Sequence, residues 1–301
     1  MPELPEVESV RQGLEQHVLG ATIEHVEIRR DSVARRAPSP SAFVDAITGT
    51  RIDAAVRRGK FLWLLLDGGA VALSAHLGMS GQFRVHDEVT PEPHPHCRAR
   101  FTLSAQGRQL SLDFIDQRTF GYLHAEHLVE TPDGLPGGLG SPSPLVPASV
   151  VHIGRDALDP ALRRSSVLNQ WRQGARGIKQ VLLDQTKVSG IGNIYADEAL
   201  WRARVHPVTP ASGLSGRAAG TLLDATRAVM GEALAAGGTS FDALYVNVNG
   251  ESGYFDRSLN AYGRGGEPCP RCGRPLQRAM IGGRSTHWCP QCQRLRVTSA
   301  R

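Results

Sequence analysis

The sequence predicts an α+β protein with an N-terminal β-sandwich led by one helix, a helical middle region and a zinc-binding module at the C-terminus. Three observations favour this class. Short apolar stretches broken by turn residues extend to residue 123, helical periodicity follows from residue 157, and two Cys-x-x-Cys pairs lie near the end of the 301-residue chain. A chain of this length can bury more than one core.

The N-terminal part is predicted to form one helix and then strands. The helix covers residues 5–19, where valine and leucine recur at helical spacing, and Gly20 can end it. Turn signals such as Asp67-Gly68-Gly69 separate the apolar stretches that follow, which favours a two-layer β-sandwich. The predicted strands are Thr22–Ile28, Arg51–Arg57, Phe61–Leu66, Ala70–Ala75, Gln82–Val85, Arg100–Leu103, Gln109–Phe114 and Phe120–Leu123.

The middle of the chain changes from strand to helix patterns across a segment rich in proline and glycine. Residues 131–147 hold five prolines and four glycines, which predicts an interdomain linker or hinge. The predicted helices that follow are Ala157–Gln173, Ile178–Asp184, Ile194–Ala203 and Arg217–Ala236. We therefore expect a first domain at 1–130, a linker at 131–150, a helical domain at 151–262 and a zinc module at 263–301.

The positive charge of the chain is concentrated at its C-terminal end. The net charge is +5, but residues 263–301 alone carry eight arginines against one glutamate, a net charge of +7. The remainder of the chain is therefore slightly negative. This distribution is typical of a module that contacts phosphates. The alternative, a basic disordered tail, disagrees with the cysteines in the same segment.

Four of the five cysteines have the spacing of a zinc site. They form a C-x2-C-x16-C-x2-C pattern made by Cys269, Cys272, Cys289 and Cys292. Each short pair suits a tight turn, so four thiolates can converge on one zinc ion. Disulfides are the alternative, but the N-terminus shows no secretion signal, so we expect a cytoplasmic protein with reduced cysteines. Cys97 is left over and is expected to be a plain thiol.

Pro2 is a candidate nucleophile. Removal of Met1, which is common before a small residue, leaves a secondary amine at the terminus. An α-amino group has a pKa of roughly 8, so part of it is uncharged at neutral pH. Attack by such an amine on a sugar C1′ forms an iminium with no N–H to lose, which can accept electrons during elimination. The alternative is that Pro2 only promotes Met1 removal and begins a loop.

Several short blocks of sequence, spread along almost the whole chain, form a pattern together. They are Pro2-Glu3-Leu4-Pro5-Glu6, Arg58-Gly59-Lys60, His76-Leu77-Gly78-Met79-Ser80-Gly81, Asp116-Gln117-Arg118-Thr119-Phe120-Gly121, Gly190-Ile191-Gly192-Asn193-Ile194-Tyr195-Ala196-Asp197-Glu198, Gly253-Tyr254-Phe255 and the four-cysteine module. In these blocks and in their order, the chain resembles the formamidopyrimidine-DNA glycosylases, the bacterial 8-oxoguanine repair family. The resemblance implies a β-sandwich, a helix–two-turn–helix domain and a β-hairpin zinc finger.

The resemblance assigns four catalytic residues. Pro2 corresponds to the Schiff-base nucleophile, and Glu3 to the acid that protonates the sugar ring oxygen. Lys60 corresponds to the lysine that assists β-elimination and holds phosphate. Arg284, between the two cysteine pairs, corresponds to the hairpin-tip arginine that grips phosphates and assists δ-elimination. From the residues alone, Glu3 could instead be a helix N-terminal acid, although Glu6 suits that position better.

The resemblance also assigns DNA contacts. Arg118 corresponds to the arginine that contacts the orphaned cytosine, and Asn193 to an amide that binds phosphate. The other implied DNA-binding residues are Met79, Phe120, His94 and Arg176. Met79 and Phe120 correspond to the apolar wedge that fills the hole left by the flipped base; from the residues alone, core packing explains them equally well.

Two positions depart from the family pattern. The family often has a lysine cluster where this chain has Arg172-Gln173-Gly174-Ala175-Arg176, so the resemblance does not identify which cation contacts phosphate there. Thr119 stands where the family frequently has a second arginine, which removes one expected backbone contact.

The resemblance predicts a monomeric glycosylase and abasic-site lyase that acts on duplex DNA containing oxidised purines, with one structural zinc. Its nearest rival is the sister endonuclease of the superfamily, which prefers oxidised pyrimidines. That enzyme typically has glycine at the position of Leu4 and lacks a long loop like residues 237–253. A rival from another class is an inactive zinc-ribbon DNA-binding protein, which the presence of Pro2, Glu3 and Lys60 disfavours.

Overall fold

The computed structural model describes residues 2–88, 92–238 and 259–295, and it confirms the predicted α+β class. The Gly253-Tyr254-Phe255 block and most of the 237–253 loop lie outside the described residues. The helices are α1 (Leu4–Val18), α2 (Pro40–Ile47), α3 (Arg164–Trp171), α4 (Ile178–Leu182), α5 (Asn193–Ala203) and α6 (Gly216–Ala235). The strands are β1 (Thr22–Ile28), β2 (Ile52–Arg58), β3 (Phe61–Leu66), β4 (Val71–His76), β5 (Gly81–His86), β6 (Cys97–Ala105), β7 (Arg108–Asp116), β8 (Tyr122–Glu126), β9 (Leu128–Glu130), β10 (Leu145–Pro147), β11 (Gln277–Ile281) and β12 (Arg284–Trp288).

The N-terminal part is the predicted two-layer sandwich. One antiparallel sheet has the order β1-β6-β7-β5 and the other β2-β3-β4-β8. Apolar side chains from both sheets share one core with those of α1, including Leu14, Leu64 and Phe101. Because side chains alternate between the faces of a strand, each sheet can turn one apolar face toward this core.

Two helices differ from the sequence prediction. Helix α2 was not predicted from the sequence. Ser39 caps this helix by accepting a hydrogen bond from the Ala42 N–H, and Phe43 is buried in the sandwich core. Helix α3 begins at Arg164 instead of residue 157. Before it, Asp156 and Asp159 accept hydrogen bonds from N–H groups two residues ahead, and such turns compete with a helix.

Strands β9 and β10 pair within and beside the segment predicted as a linker. The backbones of Leu139 and Arg57 exchange two hydrogen bonds of 2.9 Å, which fasten this segment to β2. Gly138 and Gly140 run so close to β2 that a Cβ would come within 2.3 Å and 2.1 Å of its carbonyl oxygens. Among the described residues, the first compact unit extends to residue 152 and includes 236–238. The domain boundaries expected from sequence remain predictions.

The second compact unit contains residues 153–235 and 259–295, so the helices and the cysteine module cluster together. Two consecutive acids of α5 bond to the cysteine module and to the residues directly before it. Asp197 accepts a 2.9 Å hydrogen bond from the N–H of His287 on β12, and Glu198 accepts N–H groups of residues 260–262 at 2.8–3.1 Å. Among the described helices, none has the length and apolar character needed to cross a membrane.

Candidate active site and DNA-binding surface

The predicted nucleophile and acid lie directly before α1. Pro2 and Glu3 are both buried. The N–H of Glu3 donates a 2.8 Å hydrogen bond to the carboxylate of Glu6, which forms part of a capping box. Glu6 therefore provides the capping carboxylate for this N–H at the start of the helix.

A buried ion pair connects α1 to the turn that carries Lys60. The Glu8 carboxylate accepts a 2.6 Å hydrogen bond from Arg57 Nε, and both side chains are almost completely buried. The same guanidinium donates to the Gly59 carbonyl at 3.2 Å. Gly59 has a φ of +60°, as the first residue of a tight two-residue turn between β2 and β3 requires. Half-buried Lys60 is the second residue of that turn. The Glu8–Arg57 pair therefore connects the backbone beside Lys60 to the helix that begins next to Pro2.

Met79 and Phe120 are exposed at the surface of the sandwich. Their exposed fractions are 40% and 55%, so core packing is the wrong explanation for these two apolar side chains. Met79 lies in the loop between β4 and β5. Phe120 lies in the loop between β7 and β8, residues 117–121, which we call the wedge loop.

Hydrogen bonds join these two loops. Ser80 donates its hydroxyl to the Asp116 carboxylate at 2.5 Å and accepts the N–H of Arg118 at 3.0 Å. The other Asp116 oxygen accepts the N–H of Gly121 at 2.7 Å. At Gly78, a Cβ would lie 2.7 Å from the Gly121 nitrogen, so the loops can approach this closely only with glycine there. The backbone thus presents Met79, Arg118 and Phe120 from one connected surface.

The four predicted zinc ligands converge in the second unit. Their sulfur atoms all lie within 4.8 Å of one another, which fits four thiolates around one tetrahedral zinc ion. The indole N–H of Trp201 donates to Cys269 Sγ at 3.4 Å. Burial opposes ionisation of Cys269, but this hydrogen bond and backbone N–H groups lower its pKa to about 6. Four protein ligands leave no open position for substrate, so the zinc is structural.

Cys97 is separate from that cluster, as predicted. It is buried in the sandwich, where its thiol donates to the Ala99 carbonyl at 3.3 Å. Burial, with the negative charge of Asp113, raises the pKa of Cys97 to about 12. A thiol with so little thiolate is a poor nucleophile.

Arg284 lies at the predicted hairpin tip. Gly282 and Gly283 have φ angles of +56° and +74°, which suit a two-residue turn that pairs Ile281 with Arg284. The Arg284 side chain is exposed, and its guanidinium has no hydrogen-bond or ion-pair partner among the residues that the structure describes.

Side chains of the helical region donate hydrogen bonds to the residue after Arg284. The Ser285 carbonyl accepts hydrogen bonds from Asn193 Nδ2 at 2.8 Å and from Lys179 Nζ at 3.1 Å. Lys179 is buried and forms a 2.6 Å ion pair with Asp197. The Asn193 amide, predicted to bind phosphate, therefore already uses one donor inside the protein. An amide nitrogen carries two N–H groups, and this bond uses one of them.

The cations in and just after Arg172–Arg176, the segment that differs from the family pattern, are not equally accessible to a phosphate. Lys179 is buried, whereas Arg176 is exposed and forms a 2.9 Å ion pair with Asp184 that lowers the pKa of that carboxyl. His94, the other predicted DNA contact, is exposed in the loop before β6. Burial of part of its ring and the neighbouring His96 lower the pKa of His94, which favours the neutral imidazole at pH 7.

Three family models match the chain in the order of its parts. The formamidopyrimidine-DNA glycosylase N-terminal domain matches residues 1–123, the formamidopyrimidine-DNA glycosylase H2TH domain matches residues 153–244, and the zinc finger found in FPG and IleRS matches residues 266–295. The chain is also similar to the formamidopyrimidine-DNA glycosylase of Rhodococcus opacus, with 52% identity over 98% of this chain and 97% of that protein.

The chain belongs to the formamidopyrimidine-DNA glycosylase family.

Further relatives agree with this membership. The family member of Salinispora arenicola is 50% identical over 97% of this chain and 96% of its own. The crystal structure of MutM (FPG) from Thermus thermophilus is similar with a TM-score of 0.79 and 38% identity, covering 98% of this chain and 99% of that one. A Lactococcus lactis FPG mutant in complex with Fapy-dG-containing DNA has a TM-score of 0.80 and 28% identity, covering 97% and 100%.

Several residues that position the predicted site residues of this formamidopyrimidine-DNA glycosylase family member were not themselves predicted from sequence. Ser80, Asp116 and Asp197 lie inside the matching blocks, so their positions carried a signal, but their hydrogen-bonding roles did not follow from it. Lys179 lies just after the segment Arg172–Arg176, and no sequence pattern predicted its contacts with Asp197 and Ser285. Arg35, which contacts the wedge loop, lies outside every matching block.

Proposed function

We propose that this protein is a base-excision repair glycosylase and abasic-site lyase that removes oxidised purines from duplex DNA. The observation that carries the proposal is the placement of Pro2 and Glu3 at the start of α1, with the Lys60 turn fastened to that helix through Glu8 and Arg57. Full-length similarity to formamidopyrimidine-DNA glycosylases supports the substrate class, as does the similar Lactococcus lactis complex with Fapy-dG-containing DNA.

In the proposed reaction, the Pro2 amine attacks C1′ of the damaged nucleotide, and the bond from C1′ to the base breaks. Glu3 protonates the sugar ring oxygen, so the ring opens and an iminium joins Pro2 to the sugar. The iminium draws electrons from C2′ after loss of a proton, and the 3′ phosphate leaves by β-elimination with help from Lys60. A second elimination, assisted by Arg284, releases the 5′ phosphate and leaves a one-nucleotide gap, and water then hydrolyses the iminium so that the unsaturated sugar fragment leaves Pro2.

The exposed wedge residues suit the extrusion step. Flipping a base out of the duplex costs a few kcal/mol of stacking and pairing. Met79 and Phe120 would fill the vacated space and Arg118 would contact the orphaned cytosine, while Asn193, Arg284, His94 and Arg176 would contact the DNA backbone. Phosphate contacts position the protein on DNA, whereas base contacts determine which base it prefers. Substitutions in the first group should therefore change DNA affinity, and substitutions in the second should change the preference for the opposite base.

We further propose that the protein acts as a monomer on the bacterial chromosome in the cytoplasm. Its basic C-terminal segment supports binding to the DNA backbone.

Borohydride trapping tests the proposed chemistry. Protein mixed with a duplex that contains one 8-oxoguanine opposite cytosine is treated with borohydride, and the adduct is mapped by peptide mass spectrometry. We expect a covalent adduct on Pro2, and none with an undamaged duplex of the same sequence. An adduct on Lys60 would refute the assignment of the nucleophile. If the damaged duplex is bound but neither trapped nor cleaved, an inactive DNA-binding protein becomes the better description.

A further inference from the structure

Arg35 makes two hydrogen bonds to the backbone at the end of the wedge loop. Its Nη1 donates to the Gly121 carbonyl at 2.7 Å, and its Nη2 donates to the Phe120 carbonyl at 2.8 Å. Nη1 also donates to the Ser32 carbonyl at 2.8 Å. One guanidinium therefore ties the two residues that end the loop to a segment about 85 positions earlier in the chain.

The wedge loop has a reason to need such a contact. Thr119 adopts a φ of +59°, a left-handed conformation that a β-branched residue takes rarely. The neighbouring Phe120 side chain is more than half exposed, so core packing does not immobilise it. A strained backbone persists only where its surroundings determine it. The hydrogen bonds from Arg35 are in the right place to provide that constraint.

We propose that Arg35 is a positioning residue for base extrusion: it holds the wedge loop so that Phe120 and Arg118 enter the duplex in one fixed geometry. This inference rests on the proposed glycosylase function. Arg35 acts through the loop, so it should influence how readily the paired lesion is extruded and how strictly the opposite base is selected. Elimination at a site that has already lost its base should depend on it much less, because there is no paired base to extrude.

The chemistry of the contact requires arginine. The planar fork of a guanidinium presents two nitrogens to neighbouring carbonyls, whereas lysine offers one compact ammonium. The guanidinium carbon also lies 4.7 Å from the centre of the Tyr122 ring, and that ring stacks in parallel on His76 with centroids 5.0 Å apart. These ring contacts fix the direction of the Arg35 side chain.

Arg36 provides a matched control. It has the same charge, is exposed, and lies 5.1 Å from the same Tyr122 ring. Its side chain makes no hydrogen bond or ion pair within residues 2–88, 92–238 and 259–295. Arg35→Lys keeps the charge beside the wedge and removes the fork. Arg36→Gln removes a charge beside the wedge and keeps the fork.

The experiment compares wild type, Arg35→Lys and Arg36→Gln in single-turnover reactions on three duplexes. They carry 8-oxoguanine opposite cytosine, 8-oxoguanine opposite adenine, or a preformed abasic site opposite cytosine. We expect Arg35→Lys to slow excision opposite cytosine roughly tenfold and to reduce the preference for cytosine, because the wedge offsets part of the extrusion cost. Its abasic-site cleavage and the reactions of Arg36→Gln should stay within about twofold of wild type, as for the loss of one exposed charge.

Two results overturn the inference. In one, Arg35→Lys matches wild type on all three duplexes, or Arg36→Gln shows the same loss. In the other, Arg35→Lys loses excision and abasic-site cleavage by the same factor, which indicates general damage to the fold or to the catalytic residues. Failure of the proposed function is distinguishable from both, because wild type itself would then leave all three duplexes uncut.

Discussion

The buried pair of Lys179 and Asp197 should be one of the most sensitive points of the second unit. The ion pair is 2.6 Å long, and the exposed fractions of the two side chains are 1% and 0%. Lys179 also donates to the Thr286 hydroxyl at 2.9 Å and to the Ser285 carbonyl. Replacing it with methionine keeps most of the side-chain volume but leaves a carboxylate buried beside the hairpin without its cation.

The size of the effect follows from what remains around Asp197. Breaking a buried pair by removing one partner typically costs about 3–5 kcal/mol. The N–H and ring of His287 still lie 2.9 Å and 3.1 Å from Asp197, so we expect the lower end, about 3 kcal/mol. With a urea m-value of about 2 kcal/mol/M, the unfolding midpoint should fall by roughly 1.5 M.

Urea unfolding of the zinc-loaded protein, followed by tryptophan fluorescence, measures this change. The exposed pair Arg176–Asp184 is the matched control in the same unit, with exposed fractions of 53% and 22%. Arg176→Ala should lower the unfolding free energy by no more than about 1 kcal/mol. Adding Asp197→Asn to Lys179→Met should recover part of the loss, because the unpaired charge is removed. A midpoint for Lys179→Met that stays as close to wild type as that of Arg176→Ala would refute the reasoning.

Three further perturbations test other parts of the site. Cys272→Ser should abolish the tightly bound zinc and weaken DNA binding, because a structural zinc supplies the folding energy of its module; metal analysis showing full zinc content would contradict this. Arg284→Ala should leave zinc content and the unfolding midpoint unchanged, slow excision, and reduce the log–log salt slope of DNA binding by roughly one unit; an unchanged excision rate and slope would show that Arg284 is only a solvated turn residue. Burial, with Arg35 and Arg36 nearby, lowers the pKa of His76 in the folded protein. As the pH drops, the His76 imidazole is therefore protonated first in the unfolded chain, and the free energy of unfolding should fall as pH drops from 7 through 6.5. His76→Gln should flatten that part of the curve of unfolding midpoint against pH, and an equally steep curve would contradict the assignment.

Local patterns in the sequence determined much of the fold. The predicted strands Thr22–Ile28 and Phe61–Leu66 have the same bounds in the structure, because runs rich in β-branched or apolar residues that end at turn residues favour strands. The zinc site also followed from spacing alone, since each Cys-x-x-Cys pair is a local turn. The hairpin tip at Gly282 and Gly283 is local in the same sense, because a two-residue turn requires positive φ angles.

Only the tertiary structure decided which apolar residues are buried and which polar residues meet. Met79 and Phe120 are apolar like their buried neighbours, and their exposure depends on where the two loops come together. The contacts of Arg35 with the wedge loop and of Lys179 with Ser285 join positions 85–106 residues apart, so no local pattern encodes them. Charged side chains are usually solvated, and burial becomes favourable only when a folded partner satisfies the charge. Sequence resemblance could identify Pro2, Lys60 and Arg284 individually. The contacts that hold the backbone beside Lys60 and Arg284 form only once distant segments have packed.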